Sequence, residues 1–294
     1  MNFTDQYVPQ SAEEWKSWLA KQEATNVDVY LKQPQRLIQD FNSENETTKD
    51  YLGREVYELL QNSNDAAAEA DIRGKVYIDL CKDYLLIANT GEPFSIGGVN
   101  SLLFSHISPK KKRKNLIGQK GLGFRSILNW CKQPSIFSGH LSLAYLDSKR
   151  IEILNKIVRE NPNIGELVQR EQTSSEELIV PILPFPSYVN EQEMAGVELY
   201  QKMLQCRRDS FDTVVGIPFD RADYYDEAKK QLYSLDSAIL LFVGSLDEIY
   251  IRIDGEVHRH WKIVERDHLN QTVTLRWQNS QEVVWNIFRK TGSI

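Results

Sequence analysis

The sequence has few cysteines, no long apolar run and no excess of basic residues. Its three cysteines, Cys81, Cys131 and Cys206, include no Cys-x-x-Cys pair. Their spacing argues against a disulfide framework and against a zinc knuckle, and it fits a reducing compartment. The longest apolar run, residues 238–243, is far too short to cross a bilayer.

Net charge and the first residues narrow the class of protein further. The net charge of −6 does not indicate that the molecule as a whole binds nucleic acid. The N-terminus lacks a basic segment followed by an apolar core, so no signal peptide is evident. We therefore expect a cytoplasmic protein without membrane contact. Its 294 residues are enough for one large domain or two small ones.

The first polar motif lies within a predicted helix that spans residues 49–70. A helix turns about 100° per residue, so Glu58, Asn62 and Asp65 form one polar stripe. Two carboxylates and an amide on one face can hold a water and a hard cation. On its own, the stripe is more typical of a solvated surface helix. A second face is apolar or small and suits packing on a sheet: Val56, Leu59, Leu60, Ser63, Ala66, Ala67 and Ala70.

The second motif stands at the end of a predicted β-hairpin. Residues 75–80 and 84–88 are apolar runs of strand length with a short turn between them. The second run ends at Asn89-Thr-Gly91, which puts Asn89 where a strand end can meet a ligand. Asparagine also favours turns, so a simple turn before Gly91 is a strong alternative.

The third motif has three glycines within six residues, Gly118, Gly121 and Gly123, ahead of a predicted helix at residues 124–130. Such a loop lets backbone N–H groups approach an anion closely, and the positive end of the helix faces the same place. The spacing fits neither the Rossmann nor the P-loop template. By itself, it is also typical of a plain glycine-rich turn.

The three motifs in this order, Glu-x-x-x-Asn-x-x-Asp-Ala, Asn-x-Gly and Gly-x-x-Gly-x-Gly-Phe, resemble those of the GHKL ATPases, whose nucleotide pocket is the Bergerat fold. Within that family, the chain is most similar to the sacsin-type relatives of the ninety-kilodalton heat-shock chaperones. Residues 51–54, 108–110 and 212–218 support the resemblance, which covers roughly residues 30–250. It implies an α+β two-layer sandwich, in which helices cover a mixed, mostly antiparallel sheet.

The resemblance implies ATP and Mg²⁺ as cofactors and assigns roles to single residues. Glu58 is the implied catalytic residue, which orients and partly deprotonates the attacking water, and it can reach the metal through a water. Asn62 gives a side-chain oxygen to Mg²⁺. Asn89 and Thr213 read the adenine, and Asp65 supports Asn89 or a base-bound water. The other implied nucleotide contacts are Gly91, Lys110, Gly118, Lys120, Gly121, Leu122, Gly123 and Phe124.

Two features of the implied site leave alternatives open. Family members commonly carry Asp at the position of Asn89. The side-chain amide oxygen of Asn89 can still accept the adenine amino proton. The preference for adenine over guanine is therefore open. Lys110 and Lys120 are candidates for phosphate contact and equally for solvent exposure. Lys110 begins a basic run, residues 110–114, which is typical of a solvated loop and also of a nucleic-acid contact.

The predicted organisation has three parts. Residues 1–48 form an N-terminal helical segment, in which the polar residues 42–48 predict a loop. Residues 49–245 form the ATP-binding domain, with a lid at about residues 95–117. Residues 246–294 form a small β-meander extension. A second interpretation is that this extension is the start of a further domain. The family's ATPase domain usually begins a longer polypeptide, so we expect the chain to be such a module.

Three functions remain open. The first is a slow ATP-driven conformational switch that acts on downstream domains or protein clients. The second is the ATPase module of a nucleic-acid-directed system, such as bacterial defence or DNA repair, which the basic run at residues 110–114 favours slightly. The third is a nucleotide-binding scaffold without turnover, against which the presence of Glu58 speaks. A homodimer is a further partner that the resemblance allows.

Overall fold

The structure is a computed structural model that describes residues 6–103, 123–174, 177–190, 193, 196–267, 269–278 and 280–287. These residues form an α+β fold, in which helices pack on a single mixed sheet. The helices, in chain order, are α1 (Ala12–Lys32), α2 (Pro34–Lys49), α3 (Glu55–Glu69), α4 (Ile96–Leu103), a 3-10 helix (Gly123–Asn129), α5 (Asp147–Glu160), α6 (Pro162–Glu171), α7 (Glu198–Arg208), α8 (Asp223–Ser234) and α9 (Ile239–Phe242).

The described residues contribute ten strands to the sheet, in the order β10-β9-β8-β7-β1-β2-β6-β3-β4-β5. β1 and β7 pair in parallel, and the other described neighbours pair antiparallel. The strands are β1 (Gly74–Cys81), β2 (Tyr84–Asn89), β3 (Ser135–Ser138), β4 (Leu141–Ala144), β5 (Ser187–Tyr188), β6 (Thr213–Pro218), β7 (Leu246–Ile253), β8 (Glu256–Asp267), β9 (Thr272–Trp277) and β10 (Glu282–Asn286).

The predicted hairpin of β1 and β2 and the predicted meander of β7 to β10 are both confirmed. β7 begins at Leu246 and pairs along its whole length with β1, with Ile78 opposite Ile251. The meander therefore continues the sheet of the preceding part of the chain. Within the described residues, the structure contains no helix with the length and apolar character needed to cross a membrane.

One face of the sheet carries the main hydrophobic core. Alternate residues of β1, such as Val76 and Ile78, point to this face, and α3 covers them. The predicted sheet-facing side of this helix is confirmed, since Val56, Leu59 and Leu60 are almost fully buried in the same core. Burial of each such side chain contributes about 1.5–3 kcal/mol relative to an exposed one, so α3 is held firmly in place.

The opposite face of the sheet is covered in part by α7, which adds a short third layer to the expected two. Leu199, Met203 and Cys206 of this helix are buried over β2, β3 and β6. The close approach requires a glycine in β6, because a Cβ atom at Gly216 would lie 2.6 Å from the sulfur of Met203. β2 is buried on both sides for this reason, which explains its continuous apolar sequence.

The prediction of a loop at residues 42–48 is wrong, because α2 continues through this segment to Lys49. Its polar residues look like a loop, yet Glu44 is buried, and its carboxylate accepts hydrogen bonds from distant backbone groups. The N–H groups of Ile182 and Leu183 donate to it at 2.7 and 2.9 Å. A long-range contact of this kind leaves no local pattern in the sequence.

The predicted helix of residues 49–70 also begins later than expected. Residues 50–54 form turns that end at Arg54, and α3 starts at Glu55. Gly53 has a φ of +82°, a left-handed conformation that glycine adopts most readily. The predicted helix after the glycine loop is present, but residues 123–129 form a 3-10 helix rather than an α-helix.

The buried carboxylate of Glu44 provides a stability test. We expect Glu44→Ala to lower the free energy of unfolding by about 2–5 kcal/mol, because two buried N–H groups lose their partner. Urea denaturation followed by circular dichroism measures this loss. The control is Glu46→Ala, which changes an exposed residue of the same helix. Equal stability losses in the two variants would contradict this role of Glu44.

Candidate nucleotide-binding site

The site is built around α3, and a buried carboxylate fixes where this helix begins. Glu55 is fully buried at the first turn. Its carboxylate accepts hydrogen bonds from the side-chain amides of Asn129 at 3.2 Å and Gln231 at 2.6 Å. Asn129 ends the 3-10 helix, and Gln231 lies on α8. Glu55 thus joins three elements and sets the position of the next turn of α3, which carries Glu58.

Glu58 lies one turn further along α3 and is 8% exposed. Arg54, the residue before α3, places a guanidinium nitrogen 3.3 Å from one carboxylate oxygen of Glu58. Burial raises the pKa of the Glu58 carboxyl group above its ordinary value, and the positive charge of Arg54 partly offsets this rise. A carboxylate with a raised pKa is a better proton acceptor than an exposed one, as general base chemistry requires.

The glycine motif meets this carboxylate directly. A Cβ atom at Gly123 would collide with a carboxylate oxygen of Glu58 and would lie 2.9 Å from its carboxyl carbon. Only a glycine therefore allows the backbone and the carboxylate to lie so close together. The structure thus brings Glu58 of the first motif against the last glycine of the third.

The second motif contacts α3 two turns further on. Gly91 has a φ of +145°, and a Cβ atom there would lie 2.5 Å from the carbonyl carbon of Ala66. The backbone N–H of Glu92 donates to the carbonyl oxygen of Ala66 at 2.9 Å. Ala66 lies eight residues after Glu58, about 12 Å along the helix axis. One helix therefore contacts both glycine-containing motifs.

Asn89 and Thr213 are direct neighbours in the sheet. They pair across β2 and β6, and both are largely buried. The hydroxyl group of Thr213 shares a hydrogen bond of 2.6 Å with that of Ser138, which lies on β3. The side-chain amide of Asn89 donates to the carbonyl oxygen of Thr90 at 3.3 Å. The two residues that the resemblance assigns to adenine thus lie side by side.

Asp212 connects this sheet position to the second motif. Its carboxylate accepts a hydrogen bond of 2.9 Å from the backbone N–H of Gly91. Its own N–H donates to the carbonyl oxygen of Asn89 at 2.9 Å. The turn after β2 is therefore fixed from two sides, by Asp212 on the sheet and by Ala66 on α3.

The remaining predicted residues fall into four groups. Asn62 is half-buried and Asp65 is almost fully buried, and both lie on α3 as predicted. Phe124 is buried in the main core, where its ring contributes to packing. The predicted lid, residues 95–117, is described only as far as residue 103, and α4 within it is anchored in the core by Ile96 and Val99. The predicted contacts that lie outside the described residues are Lys110, Gly118, Lys120, Gly121 and Leu122.

Four residues contribute to the site without having been predicted as part of it. Arg54 stands four positions before Glu58, and this spacing of opposite charges on a helix is a usable signal. Asp212 directly precedes Thr213 and could have been included for that reason. Glu55 and Ser138 gave no signal, because their partners lie 74 to 176 residues away along the chain.

A separate cavity of about 400 Å³ lies between α1, α5 and β5. Its described lining includes none of the predicted site residues. Lys149 at this cavity lies 3.2 Å from Glu23 and 3.3 Å from Glu152. Since this cation is already paired with carboxylates, we assign no ligand to the cavity.

Comparison of the chain with models of known protein families gives no match, and comparison with curated proteins gives none either. The functional argument therefore depends on the sequence motifs and on the geometry described above.

The pair of Arg54 and Glu58 provides a direct test of the site's electrostatics. We expect Arg54→Ala to raise the pKa of the Glu58 carboxyl group further, because the cation that favours its charged form is removed. Titration of labelled glutamate carboxyl carbons by NMR measures this change. The control is Arg36→Ala, which removes an exposed arginine paired with Asp40 on α2. An unchanged pKa of Glu58 in Arg54→Ala would contradict the pairing.

Proposed function

We propose that the chain binds ATP with Mg²⁺ and hydrolyses it slowly, as an ATPase module of the GHKL type. The observation that carries this proposal is the contact between Glu58 and the backbone of Gly123. A proton-accepting carboxylate against a glycine of a candidate anion loop is the arrangement that phosphate hydrolysis needs. The order of the three sequence motifs supports the same conclusion.

The proposed chemistry assigns one task to each end of the site. At the phosphate end, Glu58 accepts a proton from the attacking water, helped by its partial burial. The backbone N–H of Gly123 belongs to the loop that faces the phosphates. The amide oxygen of Asn62, one turn after Glu58, suits Mg²⁺, which prefers oxygen ligands. When bound, this ion supplies charge neutralisation at the phosphate oxygens.

At the base end, the polar groups of Asn89 and Thr213 read the nucleobase. Their pairing across β2 and β6 presents an amide and a hydroxyl group side by side. Ser138 orients the hydroxyl of Thr213 through their hydrogen bond. Asp65, almost fully buried on α3, supports this end of the site. Because an amide both donates and accepts, Asn89 is compatible with adenine through its oxygen.

The proposal includes the Bergerat fold, a two-layer arrangement in which helices cover a mixed sheet, and α7 adds its short third layer to this arrangement. It is supported by the helix-covered face described above and by the position of α3 over β1. We also propose a cytoplasmic location, which the free thiols of Cys81, Cys131 and Cys206 support. Nucleotide turnover would then drive a conformational switch that acts on downstream domains or protein clients.

The central variant for this function is Glu58→Ala. We expect it to bind ATP in the presence of Mg²⁺ but to lose turnover by a factor of about 100 or more, since the general base is removed. Calorimetric titration measures binding, and phosphate release measures turnover, with GTP tested alongside. The matched control is Glu69→Ala, an exposed carboxylate of the same helix, whose turnover should stay at the level of the unaltered protein.

Two results would count against the proposed function. A Glu58→Ala variant that hydrolyses ATP at the original rate would remove Glu58 from the reaction. An unaltered protein that binds ATP tightly but shows no phosphate release, even in a single-turnover experiment, would favour a nucleotide-binding scaffold instead.

A further inference from the structure

The sheet face opposite α3 carries a row of rings on three neighbouring strands, β1, β7 and β8. Ile249 and Ile251 of β7 point into the main core, so Tyr250 between them points to the opposite face. Tyr77 and His260 are its partners across β1 and β8. α7 lies mainly over β2, β3 and β6, and its edge reaches β1, where Lys202 pairs with Asp79 and Tyr77 packs against the cluster below the helix. The three rings remain half-exposed. We call six residues the open aromatic face: Lys75, Tyr77, Tyr250, Arg252, His260 and Lys262.

The rings of this face form a continuous series. The ring centres of Tyr77 and Tyr250 lie 5.8 Å apart, with only 24° between their planes. The ring of His260 lies 5.0 Å from that of Tyr250. On the other side of Tyr77, the ring of Phe211 follows at 6.1 Å. Planar groups at this spacing provide several adjacent surfaces on which other flat groups can stack.

Cations surround the rings and exceed the carboxylates that accompany them. Lys75 holds its ammonium group 5.7 Å from the ring centre of Phe211. Arg252 donates to the hydroxyl oxygen of Tyr77 at 3.5 Å. Lys262 lies 3.3 Å from the carboxylate of Glu248, which also bonds His260 at 2.8 Å.

Two further charge pairs on this side of the sheet are internally balanced. Asp79, which is buried, lies 3.6 Å from Lys202, and Glu282 lies 2.8 Å from Arg276. Among the described ion pairs, Lys262 is joined to Glu248, and none includes Lys75 or Arg252. The carboxylate of Asp79 attracts Arg252 as well as Lys202. The face is locally positive on a chain whose net charge is −6, which favours a polyanion over a second copy of the chain.

We propose that the open aromatic face binds single-stranded nucleic acid, with bases stacked on Tyr77 and Tyr250 and phosphates paired with Lys75, Arg252 and Lys262. Base stacking on aromatic rings combined with cations along the backbone is how sheet surfaces hold single strands. Half-exposed rings on a sheet face reach unstacked bases but not those inside a duplex. The proposal is independent of the nucleotide site, which lies on the other side of the sheet around α3.

The test measures fluorescence anisotropy of labelled oligouridine and oligothymidine of about 15 nucleotides with the full chain at low salt. Comparison of the affinities for the two probes shows whether the face binds RNA or DNA more tightly. We expect Tyr77→Leu/Tyr250→Leu to weaken binding by about tenfold or more, because stacking is lost while apolar volume is kept. The control is Tyr233→Leu, which changes an exposed tyrosine on α8 and should leave the affinity unchanged.

A second variant keeps the proposal testable if the tyrosine variant fails to fold. Lys75→Ala/Lys262→Ala changes two exposed side chains. It should reduce the slope of log affinity against log salt concentration by about 1.4, because each phosphate contact to a single strand contributes about 0.7. A duplex of the same sequence should compete poorly with the single strand.

Five results would overturn the proposal. The first is a full chain that binds neither probe at low salt, and the second is a folded tyrosine variant with unaltered affinity. The third is an unaltered salt slope in the lysine variant, and the fourth is binding that is lost only when the basic run at residues 110–114 is neutralised. The fifth is a dimer that the tyrosine substitutions disrupt, which would assign the face to a second copy. None of these results would change the expected phosphate release at Glu58, so failure here and failure of the proposed ATPase are distinguishable.

Discussion

The candidate nucleotide site depends on the contact between the carboxylate of Glu58 and the backbone of Gly123. Any side chain at residue 123 would displace the carboxylate, and a shift of α3 would separate the two. The position of the helix is in turn held by Glu55, which joins α3 to the 3-10 helix and to α8. The packing of α3 therefore determines where Glu58 lies relative to Gly123, the position of the proposed hydrolysis.

Buried carboxylates have two distinct tasks in this part of the molecule. Glu44 and Glu55 are structural, because each accepts hydrogen bonds from two or more distant groups. Among the described residues, the charged neighbour of Glu58 is the exposed Arg54, and burial raises the pKa of the Glu58 carboxyl group. Burial alone would not tell these residues apart. Their partners do, since both oxygens of Glu44 and of Glu55 already accept hydrogen bonds from the fold.

The sequence predicted the elements with strong local patterns. The hairpin of β1 and β2, the meander from β7 and the buried side of α3 follow from alternation and helical periodicity, and the structure confirms them. The α2 helix through residues 42–48 was missed, because the burial of Glu44 depends on a segment 138 residues away. The pairing of β7 with β1 and of Ser138 with Thr213 likewise depends on tertiary contacts. The nucleotide role of these residues stays a prediction.

Hydrogen–deuterium exchange with and without ATP and Mg²⁺ tests the central claim most directly, since it reports each motif separately. The account predicts that the nucleotide slows exchange together in residues 58–66, 89–94, 123–129 and 212–216. These segments come from distant parts of the chain and meet around α3 in the structure. Unaltered exchange in all four, or slower exchange confined to residues outside them, would contradict the claim that the three motifs form one nucleotide site.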